Sequence, residues 1–559
     1  MKTFVLAVML LFLALPSQAE VLLILAPDAF LEELAVLERF KNCSARKTYL
    51  VGLSTVTNNP AYGAARDDPE RIKRFIADAQ KQENVTTVML IGDCDTFPVR
   101  YVRALNTAWG TKYYPSDLYY ADLYDSSGNF EDWDGDGDDH LGETDFNGGT
   151  NVNLVNLDGI DMHPDVEVAR VPASNETEVE RYVKKIIGYE TTAPETWYDD
   201  AYLVVGDWGG ESKMNGVVPE LSSFDSLTTY SIYSMYTPPY DNATQNSERA
   251  AIINNSFANG SGLMLYHGHG SRNGWDNWYS VSDMSALINS SFDLPMLFAT
   301  ACYTGRFHFN REYYRVVNGT TWDQRNQTGP FSRPEPDPIQ PSFVDATEGE
   351  SMAEHFLVKR DTGGIGYIGC VSVAEHGVWI DPNDGLCLYF CQEYDRGTRR
   401  LGELWKSSMD EFVDYVSVNG MHYYAYIHIH KMFCFGDPSL ILGGAFSKHL
   451  HGQISDIWTG SFWWPLFFKH SRYKLVGDVT VKIGTPLTAS PGASLLFAPN
   501  VKIKAQDPNQ SNGFQVNGTQ SEPVFLLGSM EAPFSTKSIR GFKVSGAMRL
   551  RNGGEIKMY

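Results

Sequence analysis

From residue 21 to about residue 443, short runs of continuous apolar residues alternate with amphipathic stretches, and this rhythm most restricts the fold. "VLLILA", "TYLVGLS", "VTTVMLIG", "VEVARV", "AYLVVG", "GLMLYH", "PMLFAT" and "GYIGCV" are too short and too uniformly apolar for amphipathic helices. Strands that read this way are buried on both faces. Between several of them lie helical patterns such as "LEELAVLERFKN", "DPERIKRFIADAQKQ" and "ETEVERYVKKIIGYE". The expected fold class is α/β, with parallel sheets flanked by helices in two subdomains that meet near residue 190, in the "TTAPETW" turn. Ligands of such folds collect where the strands end, which draws attention to Asp93, Asp95 and the Gly-rich breaks after residues 267 and 301.

Beyond about residue 445 the pattern changes to short alternating strands separated by Gly, Pro and Asn. That region, 446–559, is expected to be all-β, either the first coils of a β-solenoid or a β-sandwich. At the other end, Lys2, an apolar run from Phe4 to Leu15 and a small-residue end at Ser17 and Ala19 read as a secretory signal peptide over 1–19. No later segment supplies the apolar length of a membrane span, so the mature chain, 20–190, 191–445 and 446–559, is expected outside the cytoplasm. It begins too close to the signal to hold a folded inhibitory segment first, which assigns any latency to the Pro-rich stretch between Phe307 and Phe343 or to an acidic loop.

With 45 Lys plus Arg against 68 Asp plus Glu, the chain carries a net charge of −23. Such a field repels phosphate backbones, so nucleic acid is not expected as a partner. Seven cysteines leave an odd thiol. Cys302 is the candidate for it, the other six (Cys43, Cys94, Cys370, Cys387, Cys391 and Cys434) being able to pair in several ways.

A cysteine nucleophile needs a thiolate, a basic partner and donors for an oxyanion. His269 and Cys302 each follow an apolar run, 33 positions apart, so parallel pairing of those runs brings both to one sheet edge. The N–H groups of Gly270 and Cys302 are then the oxyanion donors.

"LYHGHGSRNGW", "LFATACYTGRF" and "FCFGDPSL", preceded by "LIGDCDTFP", "SDLYY" and "DVEVARVPA", resemble in order the signatures of the gingipain-type cysteine peptidases, in the caspase-like clan. The resemblance covers roughly residues 21–443. It implies a caspase-like α/β fold, peptide-bond cleavage through a thioester and Cys302 as nucleophile, with protein or peptide substrates and no organic cofactor. It favours His269 over His267 as the base, since the motif runs from Tyr266 to His269-Gly270-Ser271. It carries the carboxylate that orients the histidine to Asp117. It also places an acid for basic substrates at Asp161, nine before Arg170, with Asp165 close enough to be confused with it. Trp275, six beyond His269, joins Asp161 as a substrate-binding candidate.

"DWDGDGDDHLGE" fits a calcium-loop template, with Asp132, Asp134 and Asp136 at alternate positions, Gly137 at the turn, the Asp138 carbonyl and Glu143 at the close. Structural Ca2+ is expected there. His428 and His430 suggest a shared strand face, with no third ligand nearby to make a metal site. Two other functions remain open on sequence alone: a surface transpeptidase of sortase type, and an inactive, calcium-stabilised adhesion protein.

Overall fold

The structure, a computed structural model of the chain, describes residues 21–444 apart from 44–46, 108–109, 149–150, 192–197, 199, 207–216, 237–242, 277, 290–291, 308–313, 318–319, 324–349 and 375–381, and beyond 447 the backbones of strands up to 551. The expected signal peptide therefore lies outside the described residues. So does most of the Pro-rich insertion, of which a two-stranded hairpin, Tyr314–Val317 with Thr320–Asp323, is described.

The apolar runs become one ten-stranded sheet. In chain order its strands are β1 (Val21–Ala26), β2 (Lys47–Gly52), β3 (Thr87–Ile91), β4 (Glu167–Val171), β5 (Asp200–Val205), β6 (Ser226–Ser231), β7 (Leu263–His267), β8 (Met296–Thr300), β9 (Gly366–Cys370) and β10 (Met432–Gly436). Across the sheet they lie in the order β2-β1-β3-β4-β10-β9-β8-β7-β5-β6. Neighbours from β6 to β9 pair parallel, as do β1, β3 and β4, while β10 runs antiparallel to β9. Every residue of β1, β3, β4, β7, β8, β9 and β10 is buried, which explains why these strands lack the polar alternation of a half-exposed sheet.

The helices follow their local signals. α1 (Asp68–Glu83) starts at Asp67, whose carboxylate accepts the Glu70 N–H, with Pro69 in the first turn, and it stops at Asn84, which adopts φ 57°. α2 (Glu176–Thr191) spans the expected boundary near 190, so the sheet continues from one half of the chain into the other. "HYYAYIHIHKM" is helical, α3 (Tyr423–Lys431), and not a strand. Its apolar residues and both histidines are buried: His428 Nδ1 donates to the Tyr424 carbonyl and His430 Nδ1 meets Ser116 Oγ at 3.1 Å.

The strands from Lys448 to Arg551 form a separate unit. They pair parallel, in a sheet built from Lys448–Ile454, Arg472–Val481, Ser494–Phe497, Ile503–Ala505, Val524–Gly528 and Met548–Arg551 and in a second one from Ile457–Trp458, Leu487–Ala489, Phe514–Val516 and Phe542–Val544. Apart from Ser494–Phe497 and Ile503–Ala505, which both pair with Arg472–Val481, chain segments alternate between the two sheets, which is the pattern of a solenoid; a sandwich would pair its strands antiparallel. No described helix is long and apolar enough to cross a membrane.

Candidate active site

β7 and β8 are parallel neighbours in register from Leu263–Met296 to His267–Thr300. His269 and Cys302 therefore each stand two residues beyond the last matched pair, on the same edge. Beyond β7 the chain turns back in a tight hairpin. The His269 carbonyl accepts from Tyr266 Oη at 2.6 Å and from the Asp276 N–H at 3.0 Å, which fixes the backbone while the imidazole stays exposed. Gly270 faces Trp275 across this hairpin. With Asp276 already bonded to His269, that pair is a non-hydrogen-bonded one, and the Gly270 N–H is not used by the ladder. Glycine is required at this position by contact: a Cβ on Gly270 would lie 2.8 Å from the Cys302 carbonyl oxygen and 2.9 Å from Ala301 Cβ. The two loops thus touch at the residues expected to supply the oxyanion donors.

Cys302 is half-buried. Tyr303, immediately after it, sits at φ 61°, a costly conformation for a bulky residue and one that the surroundings enforce: its N–H donates to the Ser372 carbonyl at 2.8 Å. The Cys302 sulfur accepts from the Ala374 N–H at 3.3 Å. His267 is fully buried beneath the pair, its Nδ1 2.8 Å from Thr300 Oγ1. Because that hydroxyl donates to the Tyr266 carbonyl at 3.3 Å, it accepts from His267, and His267 braces the strand ends.

The loop after β3 meets the chain beyond Cys302, where Cys94 Sγ lies 3.7 Å from the Phe307 carbonyl oxygen. There Asp93 is pushed up to about 7, first by burial and then by Asp95, while Ser174 Oγ donates to it at 2.6 Å.

The three other expected site residues have partners of their own. Asp117 gives both carboxylate oxygens to Arg170, at 2.6 Å each, and the Arg170 guanidinium also donates to the Gly92 carbonyl. Arg170 belongs to β4, and β10, β9 and β8 separate β4 from β7. At about 4.8 Å per strand that is roughly 19 Å of sheet, so Asp117 serves Arg170 and does not orient His269. Asp161 precedes β4 and shares a cluster with Asp122 and Glu131, their ligand atoms within 4.8 Å of one another. It precedes the amino-terminal end of β4. Asp165 accepts the N–H groups of Leu123 and Tyr124 at the same end. Trp275 is 2% exposed, stacks on Tyr266 with ring centres 4.7 Å apart and donates to Tyr367 Oη at 3.2 Å. It is a wall behind the His269 hairpin, not a substrate contact.

The acidic loop is also arranged differently. Arg66 holds Asp132 at 2.5 Å and Asp134 at 2.8 Å, and Arg103 holds Glu143 at 2.7 Å, so both ends of the expected shell are taken by guanidinium groups. Two carboxylate-rich groups result: Asp134 and Asp136 with Asp158, and Asp138 with His140 and Glu143. Asp158, missed in the sequence because it comes from a later loop, accepts the N–H groups of Gly135 and Glu143.

The model of peptidase family C25 matches residues 15–443. The chain belongs to peptidase family C25. Among curated members, gingipain R2 and gingipain R1 of Porphyromonas gingivalis are each 27% identical over 158 residues, which is 27% of this chain but 21% and 15% of theirs. The chain thus matches about a fifth or less of those relatives' length. Among solved structures, the family's Arg-specific cysteine proteinase gingipain R aligns with a TM-score of 0.51 at 15% identity, covering 78% of this chain and 83% of its own. The complex of Porphyromonas gingivalis RgpB pro- and mature domains aligns at 0.50 and 16%. At such identities the structural match speaks for the fold.

Proposed function

We propose that this protein is an extracytoplasmic cysteine endopeptidase in which Cys302 is the nucleophile and His269 its basic partner. The observation that carries the reading is the register of β7 and β8, which sets these two residues at equal distance past adjacent strands, with Gly270 in contact with Cys302. In the reaction the Cys302 thiolate attacks the scissile carbonyl carbon, and the displaced electron pair on oxygen is met by the N–H groups of Gly270 and Cys302. Collapse restores the C=O bond and breaks the C–N bond, the departing amine taking a proton from His269. Water, giving its proton to His269, then attacks the thioester and returns the thiolate.

Electrophilic peptides test this. A peptidyl chloromethyl ketone is expected to form one adduct, on the peptide that contains Cys302, in step with loss of hydrolysis; an adduct on any other cysteine with Cys302 unmodified would overturn the assignment. Running the same substrates with and without an added amine separates hydrolysis from transfer. Selectivity for Arg or Lys is not part of the proposal, because Asp161, the acid expected to read it, is grouped with Asp122 and Glu131.

We also propose a structural calcium ion at Asp134, Asp136 and Asp158. Hard carboxylate oxygens from two loops suit that ion. Burial and the charges of Glu143 and Asp136 push Asp158 up to about 7, the signature of a carboxylate whose charge lacks compensation. Excess chelator is expected to lower the melting temperature by roughly 5–10 °C, and Asp158→Asn to remove most of that response. An unchanged melting curve with chelator would count against the ion.

A further inference from the structure

The carboxyl end of β9 continues as Val371–Ala374, and this segment closes over the sulfur of Cys302 from the side opposite the β7 hairpin. Ala374 presents two groups to that sulfur: its N–H at 3.3 Å and its carbonyl oxygen at 3.8 Å. The carbonyl can only accept, so it favours the protonated thiol. The N–H can only donate, so it favours the thiolate, and it is the nearer of the two. A hydrogen bond to the charged form lowers the pKa of a nucleophile, and the thiolate is the reactive form. The placement of one amide therefore bears on how much of Cys302 is ready to react.

That amide is held from below by a buried cation. Lys431, the last residue of α3, is fully buried, and its Nζ donates to the Val373 carbonyl at 2.9 Å. Its own carbonyl accepts the Val371 N–H at 3.0 Å. Between those two points Ser372 accepts the Tyr303 N–H, so the segment is tied to Lys431 on one side and to the residue after the nucleophile on the other. The Tyr114 ring, 4.9 Å from Nζ, fills out the ammonium's surroundings. A lysine buried only for packing would not need its head on the carbonyl that adjoins the sulfur-binding amide.

We propose that Lys431 is a positioning residue for the Cys302 thiolate, acting through Val373 to aim the Ala374 N–H at the sulfur. The proposal rests on the reading of Cys302 as nucleophile, and its test reads the sulfur directly. Iodoacetamide alkylation of Cys302 in the full chain is followed against pH by mass spectrometry of the peptide containing residue 302, with Cys302→Ala as the blank. Lys431→Met is expected to raise the pH of half-maximal alkylation by about one unit, which is about tenfold slower alkylation below that range. Lys431→Arg, which keeps a donor on the Val373 carbonyl, is expected to restore the rate to within about threefold. A folded Lys431→Met protein with the parent profile would overturn the proposal. Should Lys431→Met fail to fold, Ala374→Pro removes the donor N–H and leaves Lys431 in place. An upward shift of the same size supports the proposal, and a parent profile in that variant overturns it. Persisting hydrolysis in Cys302→Ala would instead remove the nucleophile assignment, an outcome distinct from an unshifted Lys431→Met profile.

Discussion

Replacing Cys302 with Ala is expected to lower peptide hydrolysis by a factor on the order of 10⁶, the size of effect seen when the attacking atom of a catalytic unit is removed. The fold gives little else for the reaction to use, because the donors at Gly270 and Cys302 stabilise charge only after an attack has begun. Cys302 is half-buried and its sulfur packs against Ala374, so the melting temperature should stay within about 2 °C of the parent. Activity is measured on the parent and variant after removal of trace contaminating protease, and covalent labelling is measured alongside. Retained hydrolysis in a labelling-negative variant would sink the mechanism.

The second large effect is one of stability. Asp117→Ala leaves the Arg170 guanidinium, which is fully buried, without the carboxylate that meets it at 2.6 Å on two atoms. Breaking a buried pair from one side costs about 3–5 kcal/mol, which corresponds to a melting point lower by roughly 5–15 °C. Arg170 also lies 5.1 Å from the ring centres of Phe97 and Phe307, so it joins the β3 loop to the far end of the Cys302 loop. Below the melting transition, kcat per titrated site should stay within about fivefold of the parent. A residue that oriented His269 would give the opposite result, a normal melting curve with a collapsed kcat, and the pair of measurements decides between the two roles.

The sheet, its helices and the pairing of His269 with Cys302 were legible in the sequence because each depends on a local signal. Buried parallel strands leave uninterrupted apolar runs, and the equal offset of the two residues from their runs survives folding unchanged. The other assignments depended on which loop faces which. Asp117 and Asp161 occupy familiar places in the chain, yet one found Arg170 and the other Asp122 and Glu131, contacts that no spacing encodes. Trp275 illustrates the same limit at short range, since an aromatic residue near a histidine reads equally well as a wall or as a substrate contact. The odd number of cysteines pointed to Cys302 on grounds that do not hold: none of Cys94, Cys302, Cys370, Cys387, Cys391 and Cys434 forms a disulfide, and four of them are simply buried. Lys431 left no trace at all, because its partner is a backbone carbonyl on another strand's end.

β10 has a consequence for the order in which this protein becomes safe from misassembly. It comes from Met432–Gly436, near the end of the α/β unit, yet it lies in the middle of the sheet between β4 and β9. Until it is made, a nascent or truncated chain carries two unfinished sheets, each with a bare central edge of buried-type residues offering its hydrogen-bonding groups to any strand nearby. β10 reaches β9 across no more than about 70 residues of chain but β4 across more than 260, as in the Phe435–Arg170 pairing, so closure of the second edge is late and slow. A chain cut short before Met432 would lose five residues of one strand and, with them, the seam between its two halves.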